Sequence, residues 1–594
     1  MAYVGINWDH PASAALLHDN RIIAGASEER FTRVKNDTAF PKASIDYCRE
    51  FARQFDGIEG VGIVSNEVNY QALLYQYASN LSIADHIKEQ NEFWYPTLYE
   101  NKKLDIAFVH KDRWVNDQFP QAYWAEYDPG KIDSFSEDVI DIIAEYLDMD
   151  RSRVIRLDHH LCHAYYAYYA SPYRGESAIV LTADGFGDGL NATISIAENG
   201  TLRRVYETDI CVLGRIYRHI TLLLGMKPLE HEYKVMGLAP YADQKLAERA
   251  YEVFAKILDI DGIEFKWLNK PPDSYFYFKN KLEGLRFDHI AAGIQRWVEE
   301  MLCRWVSNIV NQFNIKTIVV SGGVSMNVKA MGKIAAMDCV KKFAVPGSGA
   351  DETCCIGAAM GAALRFQDNM NAGSLRMDTM YLGPDVDRDA MAVLADAEQD
   401  AELIVKRDVT DEYVAELLTK GHIVARCWGH MEYGQRALGN RSILADPTGI
   451  DVVNRINSMI KNRDFWMPFA PVVLDTYVDR YLVNPKGLES PHMALAFETT
   501  ADGWNAMRAA CHNADRTARA QILTHEDNPE FYRLVNAFER LTGRGALLNT
   551  SFNLHGHPIV NTAQEAYDVF NRSGLEGMLL PEGLILKKKA VKRV

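Results

Sequence analysis

The chain opens on two short apolar runs, residues 3–7 (YVGIN) and 12–17 (ASAALL), separated by a turn containing Asp9, His10 and Pro11. Apolar runs of this length, bounded by turn residues, read as strands, and NRIIAGASEERF reads as a third strand entering a charged segment. The figure recurs at 178–184 (AIVLTAD): an apolar strand ending in Asp, the glycine-rich turn GFGDG, then NATISIAENG as a returning strand. Residues 317–328 (TIVVSGGVSMNV) give a β-branched strand, a double glycine and a helix start. DETCCIGAAMGAALRF reads as a helix of small residues, whose alanines and glycines let another backbone come close. Two strand–turn–strand openings, each followed by helical segments, predict an α/β domain built from a duplicated half. Residues 66–150, rich in aromatics and charge without a strand pattern, read as a helical insertion.

Around 375–388 (LRMDTMYLGPDVDR) the periodicity stops at a proline and a glycine, which sets a boundary between a first domain, 1–380, and a second, 389–594. The second reads as α/β again: helix DAMAVLADAEQD, strand ELIVKRDV, helix DEYVAELLTKG, strand HIVARCW. No low-complexity segment or short-period repeat interrupts either part.

Composition narrows the function classes. A chain of 594 residues, 48% hydrophobic and 24% charged, is an ordinary globular protein with ample core. A formal net charge of −16 argues against a broad nucleic-acid surface but leaves room for a local phosphate pocket. Nine cysteines without CxxC spacing read as reduced thiols, the N-terminus lacks a signal-peptide pattern, and no apolar run reaches the ~20 residues of a membrane span. The expected location is the cytoplasm.

Candidate chemistry begins at LDHHLCHAYYAYYASPY. His159 and His163 are spaced i, i+4, so on a helix their imidazoles share a face, as a transition metal requires. A helix that packs aromatics and satisfies its histidines locally has the same spacing. Asp184, ending its strand before three glycines, and Asp351, in VPGSGADET before a helix, would complete a two-histidine, two-carboxylate set for Fe²⁺, Mn²⁺ or Zn²⁺. Either Asp has an alternative, bracing the glycine turn or capping the helix.

The motif order HPAS, EERFTRVKN, DHHLCHA, TADGFGDG, EYKVMGLAPY and SGGVSMN is continued by GHMEYGQRALGNRSILADP, INSMIKNRDFWMPFAPVV and LLNTSFNLHGHPIV. This order, from residue 3 to about residue 590, resembles the O-carbamoyltransferases of the nodulation and antibiotic-tailoring type. The resemblance implies an N-terminal TsaD-like domain of the actin, sugar-kinase and heat-shock ATPase superfamily, followed by a YrdC-like α/β domain. It implies Fe²⁺ held by His159, His163, Asp184 and Asp351, an adenosine-phosphate loop at Gly322, Gly323 and Asn327, and His10 as a catalytic histidine. Glu232 and Lys234 are weaker candidates for the base. Many members read HDAS where this chain has His10-Pro11-Ala12-Ser13, and GPRALG where it has Gln435. His430 and Met467 stand where arginine occurs in the family, Met467 at a phosphate contact.

The second domain gathers Arg436, Arg441, Lys461, Arg463 and Arg519 with Asn549, Ser551 and Asn553. In an acidic chain this set suits a polyanionic ligand, although surface ion pairs use the same residue types. By the resemblance, Arg436 and Lys461 act in catalysis as carbamoyl phosphate and ATP, the latter with Mg²⁺, form carbamoyl adenylate. A hydroxyl of a small natural-product acceptor then takes the carbamoyl group and AMP leaves. A threonylcarbamoyl-adenylate enzyme acting on tRNA and a non-enzymatic ATP-binding regulator are the competing readings; the acidic balance opposes the first, the cationic second domain the other. The acceptor is not legible: Trp94, Tyr95, Trp114, Tyr123, Trp124 and residues 263–287 are aromatic enough to line its cleft, but such aromatics more often build core. Oligomeric state stays open, with a homodimer among the options.

Overall fold

Strand β1 (Ala2–Asn7) turns through Asp9–Pro11 into β2 (Ser13–His18), and β3 (Arg21–Ser27) returns beside it. With β4 (Ile58–Val64) and β5 (Val154–Leu157) they form one sheet in the order β3-β2-β1-β4-β5, antiparallel across β1–β2–β3 and parallel across β1–β4–β5. In the computed structural model these belong to the first of two compact units, Met1–Asp378 and Thr379–Val594. The backbone is described over residues 1–67, 74–114, 129–368 and 370–591. Every residue of β1 is buried, because the strand is central and covered on both faces, so its sequence shows a continuous apolar run rather than alternation.

The second sheet repeats the plan. β6 (Ala178–Gly187), β7 (Leu190–Glu198) and β8 (Thr201–Thr208) form the antiparallel part. After a short hairpin, β9 (Leu258–Asp261) and β10 (Glu264–Trp267), β11 (Thr317–Ser321) and β12 (Lys342–Ala344) add in parallel, giving β12-β11-β6-β7-β8. The two halves therefore share one strand order and one pattern of strand directions.

Each half lends a helix to the other's sheet. The helix His159–Tyr169 follows β5 but packs on β6 and β11, while Cys354–Phe366 follows β12 but packs on β1 and β4. Small residues make these approaches possible. A Cβ on Gly5 would stand 1.8 Å from Cys355 O, one on Gly62 2.2 Å from Ala358 O, and one on Gly357 1.9 Å from Cys162 O. The two helices thus meet backbone to backbone, and both start near the same point.

The insertion between β4 and β5 is helical where described, including Ile83–Glu89 and Pro129–Leu147. Trp114 packs against the first unit's core, and Tyr95 is 42% exposed with its ring 5.1 Å from that of Phe276. Tyr123 and Trp124 lie outside the described residues. In the second unit, the helices expected at 389–400 and 411–421 occupy Asp387–Glu398 and Asp411–Thr419. Its mixed sheet takes β13 (Leu403–Arg407), β14 (Val424–Cys427), β15 (Arg441–Ala445) and β16 (Ala470–Leu474). A two-stranded ribbon, β17 (Phe497–Glu498) and β18 (Thr517–Ala518), stands apart from it. β19 (Gln521–Leu523), β20 (Ala546–Ser551), β21 (Gly577–Leu580) and β22 (Gly583–Lys587) complete the sheet in the order β13-β22-β21-β14-β15-β20-β16-β19. No described helix is long and apolar enough to cross a membrane.

Candidate metal and phosphate sites

Asp158 starts the histidine helix as its N-cap, accepting the Leu161 N–H at 2.7 Å. Asp188 fixes the same end: its carboxylate accepts the His159 N–H at 2.8 Å together with the amides of Asn66 (2.9 Å) and Glu67 (3.2 Å). From this anchored turn the i, i+4 histidines face two carboxylates. His163 Nε2 lies 3.1 Å from Asp184 Oδ2 and 3.2 Å from Asp351 Oδ1; for His159 Nε2 the distances are 3.5 and 3.8 Å. The structure thus brings together all four residues singled out for a metal. Asp351 does not cap a helix; it opens a 3₁₀ turn, Asp351–Thr353, that aims its carboxylate at the imidazoles. His160 points elsewhere, its Nδ1 2.8 Å from Thr182 Oγ1.

The donor set fits a divalent ion. The remote ring nitrogens are held by hydroxyls, His163 Nδ1 by Ser321 at 3.1 Å and His159 Nδ1 by Ser65 at 3.5 Å, which leaves both Nε2 atoms facing the carboxylates. The buried His159 Nε2 has no well-aligned hydrogen-bond partner. Electrostatics say the same in protons. Burial disfavours a charged His159, yet Asp351 and Asp184 outweigh it and hold the imidazole up at about 10. Burial likewise works against the Asp184 carboxylate, but His159 and His163 keep it well below its ordinary range. Two anions that draw this much positive charge suit a cation in place of the protons. Cys354, not anticipated from sequence, has a sulfur within 4.8 Å of the His159, His163 and Asp351 donor atoms. Burial, reinforced by Asp351, pushes its thiol well above the usual range.

His10 stands beside this set. Its N–H donates to Asp9 Oδ1 at 2.8 Å, and Asn7 ties the turn to the metal loop by donating to Pro11 O (3.0 Å) and Asp351 O (3.1 Å). Burial pushes the His10 imidazole below its ordinary range, opposed by Asp351 and Asp184. Asp9 is pushed up to about 7 by burial and by Asp351. Gly322 has φ +97°, and a Cβ there would meet Ala183 O at 2.2 Å, so this turn admits only glycine. The Gly323 N–H donates to Asp184 Oδ2 at 3.2 Å, joining the expected nucleotide loop to the metal set. Asn327 caps the helix Val328–Ala336 through Ala330 N–H and exchanges hydrogen bonds with Gln295. Glu232 accepts the Leu229 N–H at 2.8 Å, and burial pushes it up to about 7.

In the second unit Lys461 closes a π-helical turn, Asn457–Lys461, ended by Asn462 in the left-handed region, a distortion common at functional sites. Its buried Nζ donates to Ser551 Oγ (3.0 Å) and Asn553 Oδ1 (2.6 Å). Arg463 reaches Thr550 Oγ1 at 3.1 Å, on the opposite side of the strand from Ser551. Arg436 sits partly buried in a loop organised by Glu432, whose buried Oε1 accepts the amides of Leu438 (2.8 Å), Asn440 (2.8 Å) and Arg441 (3.0 Å). Asn549 joins that loop by donating to Ala437 O at 3.1 Å and reaches Gln521, two residues from the partly buried Arg519, at 3.1 Å. Arg441, expected at a phosphate, is held by backbone carbonyls. It is fully buried and donates to the carbonyls of Asn561 (3.0 Å), Trp428 (2.7 Å), Gly429 (3.1 Å) and Pro384 (3.2 Å), so it pins backbone turns. Sequence reasoning missed Asp188 and Glu432; an acid inside a glycine-bracketed turn was the available signal in both.

Residues 2–360 match the family described as carbamoyltransferase N-terminus and residues 415–587 carbamoyltransferase C-terminus. An uncharacterized protein of Methanocaldococcus jannaschii is 30% identical over 96% of this chain and 96% of its own. Nodulation protein NolNO of Sinorhizobium fredii is 29% identical over 98% of this chain and 79% of its own. The 3'-hydroxymethylcephem-O-carbamoyltransferase of Amycolatopsis lactamdurans is 32% identical over 32% of this chain and 35% of its own. Among solved structures, component A of the Acidaminococcus fermentans (R)-2-hydroxyglutaryl-CoA dehydratase superposes with a TM-score of 0.30 at 16% identity, covering 61% of this chain and 98% of that one. A likeness this slight carries no argument about fold or ligand. The two family matches span most of both units, and on them this chain belongs to the carbamoyltransferase family of enzymes.

Proposed function

We propose that the enzyme is an ATP-dependent O-carbamoyltransferase that makes carbamoyl adenylate from carbamoyl phosphate and ATP and passes the carbamoyl group to a hydroxyl of a small-molecule acceptor. The observation that carries this reading is the convergence of His159, His163, Asp184 and Asp351, with Nε2–carboxylate distances of 3.1–3.8 Å, next to His10 in a carbamoyltransferase. The relative named as an O-carbamoyltransferase supports oxygen as the acceptor atom. In this reading the first unit is TsaD-like, the second YrdC-like, and the protein works in the cytoplasm.

Adenylation belongs to the second unit. Carbamoyl phosphate is hydrolysed to carbamate and phosphate; a carbamate oxygen then attacks the α-phosphorus of ATP, with its Mg²⁺, and pyrophosphate leaves. Arg436, Lys461, Arg463 and Arg519 balance the phosphate charge, and Asn549, Ser551 and Asn553 supply neutral hydrogen bonds. Ser551 and Asn553 orient the Lys461 ammonium and, being neutral, leave its charge in place.

Transfer belongs to the first unit. The turn at Gly322 and Gly323, running through Asn327 into a helix, receives the adenylate phosphate. Held low by burial, the His10 imidazole is neutral near pH 7 and takes the proton of the acceptor hydroxyl as its oxygen attacks the carbamoyl carbon. The carbon–oxygen bond to the adenylate phosphate breaks, and AMP carries away the electron pair. A divalent ion held by His159, His163, Asp184 and Asp351, with Fe²⁺ the leading candidate, would supply Lewis-acid polarisation of the mixed anhydride.

The test is mass spectrometry of a reaction containing carbamoyl phosphate, ATP, Mg²⁺, Fe²⁺ and a panel of hydroxyl acceptors. The reading expects carbamoyl-phosphate-dependent release of pyrophosphate and an acceptor heavier by one carbamoyl group. ATP turnover indifferent to carbamoyl phosphate would overturn it.

A further inference from the structure

The helix Leu213–Leu223 starts against the metal loop. A Cβ on Gly214 would stand 3.1 Å from the Gly185 nitrogen, next to Asp184, and 3.1 Å from Val324 in the nucleotide loop. From that seat the helix carries Arg215 and Arg218, three residues apart and hence on neighbouring positions of one face, both partly buried. The Arg215 guanidinium lies 4.9 Å above the ring of Phe186, which sits at the end of β6 between Asp184 and Asp188 and is 55% exposed. Arg218 donates to the Tyr77 hydroxyl at 2.6 Å and lies 5.4 Å from that ring's centre.

Neither arginine forms an ion pair among the described residues, in a chain with 80 carboxylate side chains against 64 cationic ones. They also oppose each other: burial first, and then the Arg218 charge, pulls the Arg215 guanidinium below its ordinary range. Two like charges partly withdrawn from water, on which Asp209 and Glu232 act without forming an ion pair among the described residues, gain from an anion that joins them. The Arg218 charge reaches His10 and Glu232 as well. Its hydrogen-bonding partner belongs to the insertion, where Tyr77 packs on His86 with centroids 5.0 Å apart. Arg218 thus bonds to the insertion through Tyr77, while its charge acts on the candidate base.

We propose that Arg215 and Arg218 bind a carboxylate or phosphate carried by the acceptor, so that the acceptors of this enzyme are hydroxyl compounds bearing an anionic group. This rests on the O-carbamoyl reading above. An arginine fork on the anion would fix the distance and direction of the hydroxyl relative to His10.

The test is calorimetric titration of the intact protein with inorganic phosphate while saturating AMP fills the nucleotide's own phosphate position. Phosphate also meets the second unit, so the informative signal is the component lost on substitution. The wild type should bind phosphate with AMP in place, and Arg218→Gln and Arg215→Gln should each weaken that component about 10-fold or more, as expected for a charged hydrogen-bond partner. Arg218→Lys should fall between, keeping the charge without the fork. Loss of the component when AMP is added would assign the pair to the nucleotide, and equal binding by both glutamine variants would remove the site; either result overturns the proposal. Failure of the O-carbamoyl reading would appear separately, as pyrophosphate release independent of carbamoyl phosphate.

Discussion

His10 is held low by burial and raised only in part by Asp351 and Asp184, so it keeps its lone pair to a lower pH than a free histidine. For a general base, the acid limb of kcat/KM for transfer should then lie below the ordinary histidine value of about 6.5, and His10→Asn should slow transfer by ~10²–10⁴-fold. An unaltered rate in His10→Asn would move the role to another group. His159→Ala or His163→Ala should deplete bound iron, measured by elemental analysis, and stop transfer while the fold persists. Asp188 offers a subtler test. Asp188→Ala leaves the amides of Asn66, Glu67 and His159 without their carboxylate, so metal affinity should fall although no ligand has changed. Affinity equal to wild type would show that the helix start needs no such anchor. Of the four candidate ligands, the i, i+4 spacing of His159 and His163 was legible, whereas Asp184 and Asp351 were joined to them through the family resemblance, since spacing does not show that residues so far apart converge. Asp188 was not legible, since its partners lie 29 and more than a hundred positions away. The surroundings of Arg441 were not legible either, because sequence shows a cation but not the carbonyls that surround it.

At the scale of elements, the duplicated half was readable from a recurring apolar strand, a turn and a returning strand. The crossing of helices between the two sheets was not, since nothing local says which sheet a helix covers. The small residues of Cys354–Phe366 are the trace of that crossing. Gly357→Val would place a branched side chain where Cys162 O already lies 1.9 Å from a Cβ. The helices must part, and the loss of stability should exceed the ~1–3 kcal/mol usual for overpacking, seen as a lowered denaturation midpoint. Because both helices begin at the metal set, iron should be lost with it. A Gly357→Val protein of wild-type stability would contradict this packing. Gly322→Ala probes the other strand–helix corner, and there the clash with Ala183 O and φ +97° should cost stability even without a change in chemistry.

At the scale of the molecule, two compact units carry two kinds of side-chain cluster: imidazoles and carboxylates in one, arginines, lysine and neutral amides in the other. Such a division suits a reaction in two steps, the first dominated by phosphate charge and the second by a carbonyl and a proton. In the proposed reaction, adenylation and transfer belong to different units, a division that half-reactions can separate. It is tested most directly by giving chemically made carbamoyl adenylate to Lys461→Ala together with an acceptor and measuring carbamoylated product. Lys461→Ala should release no pyrophosphate from ATP and carbamoyl phosphate yet form product from the supplied adenylate, whereas His159→Ala should release pyrophosphate and form none. Failure of both variants in both half-reactions would contradict it.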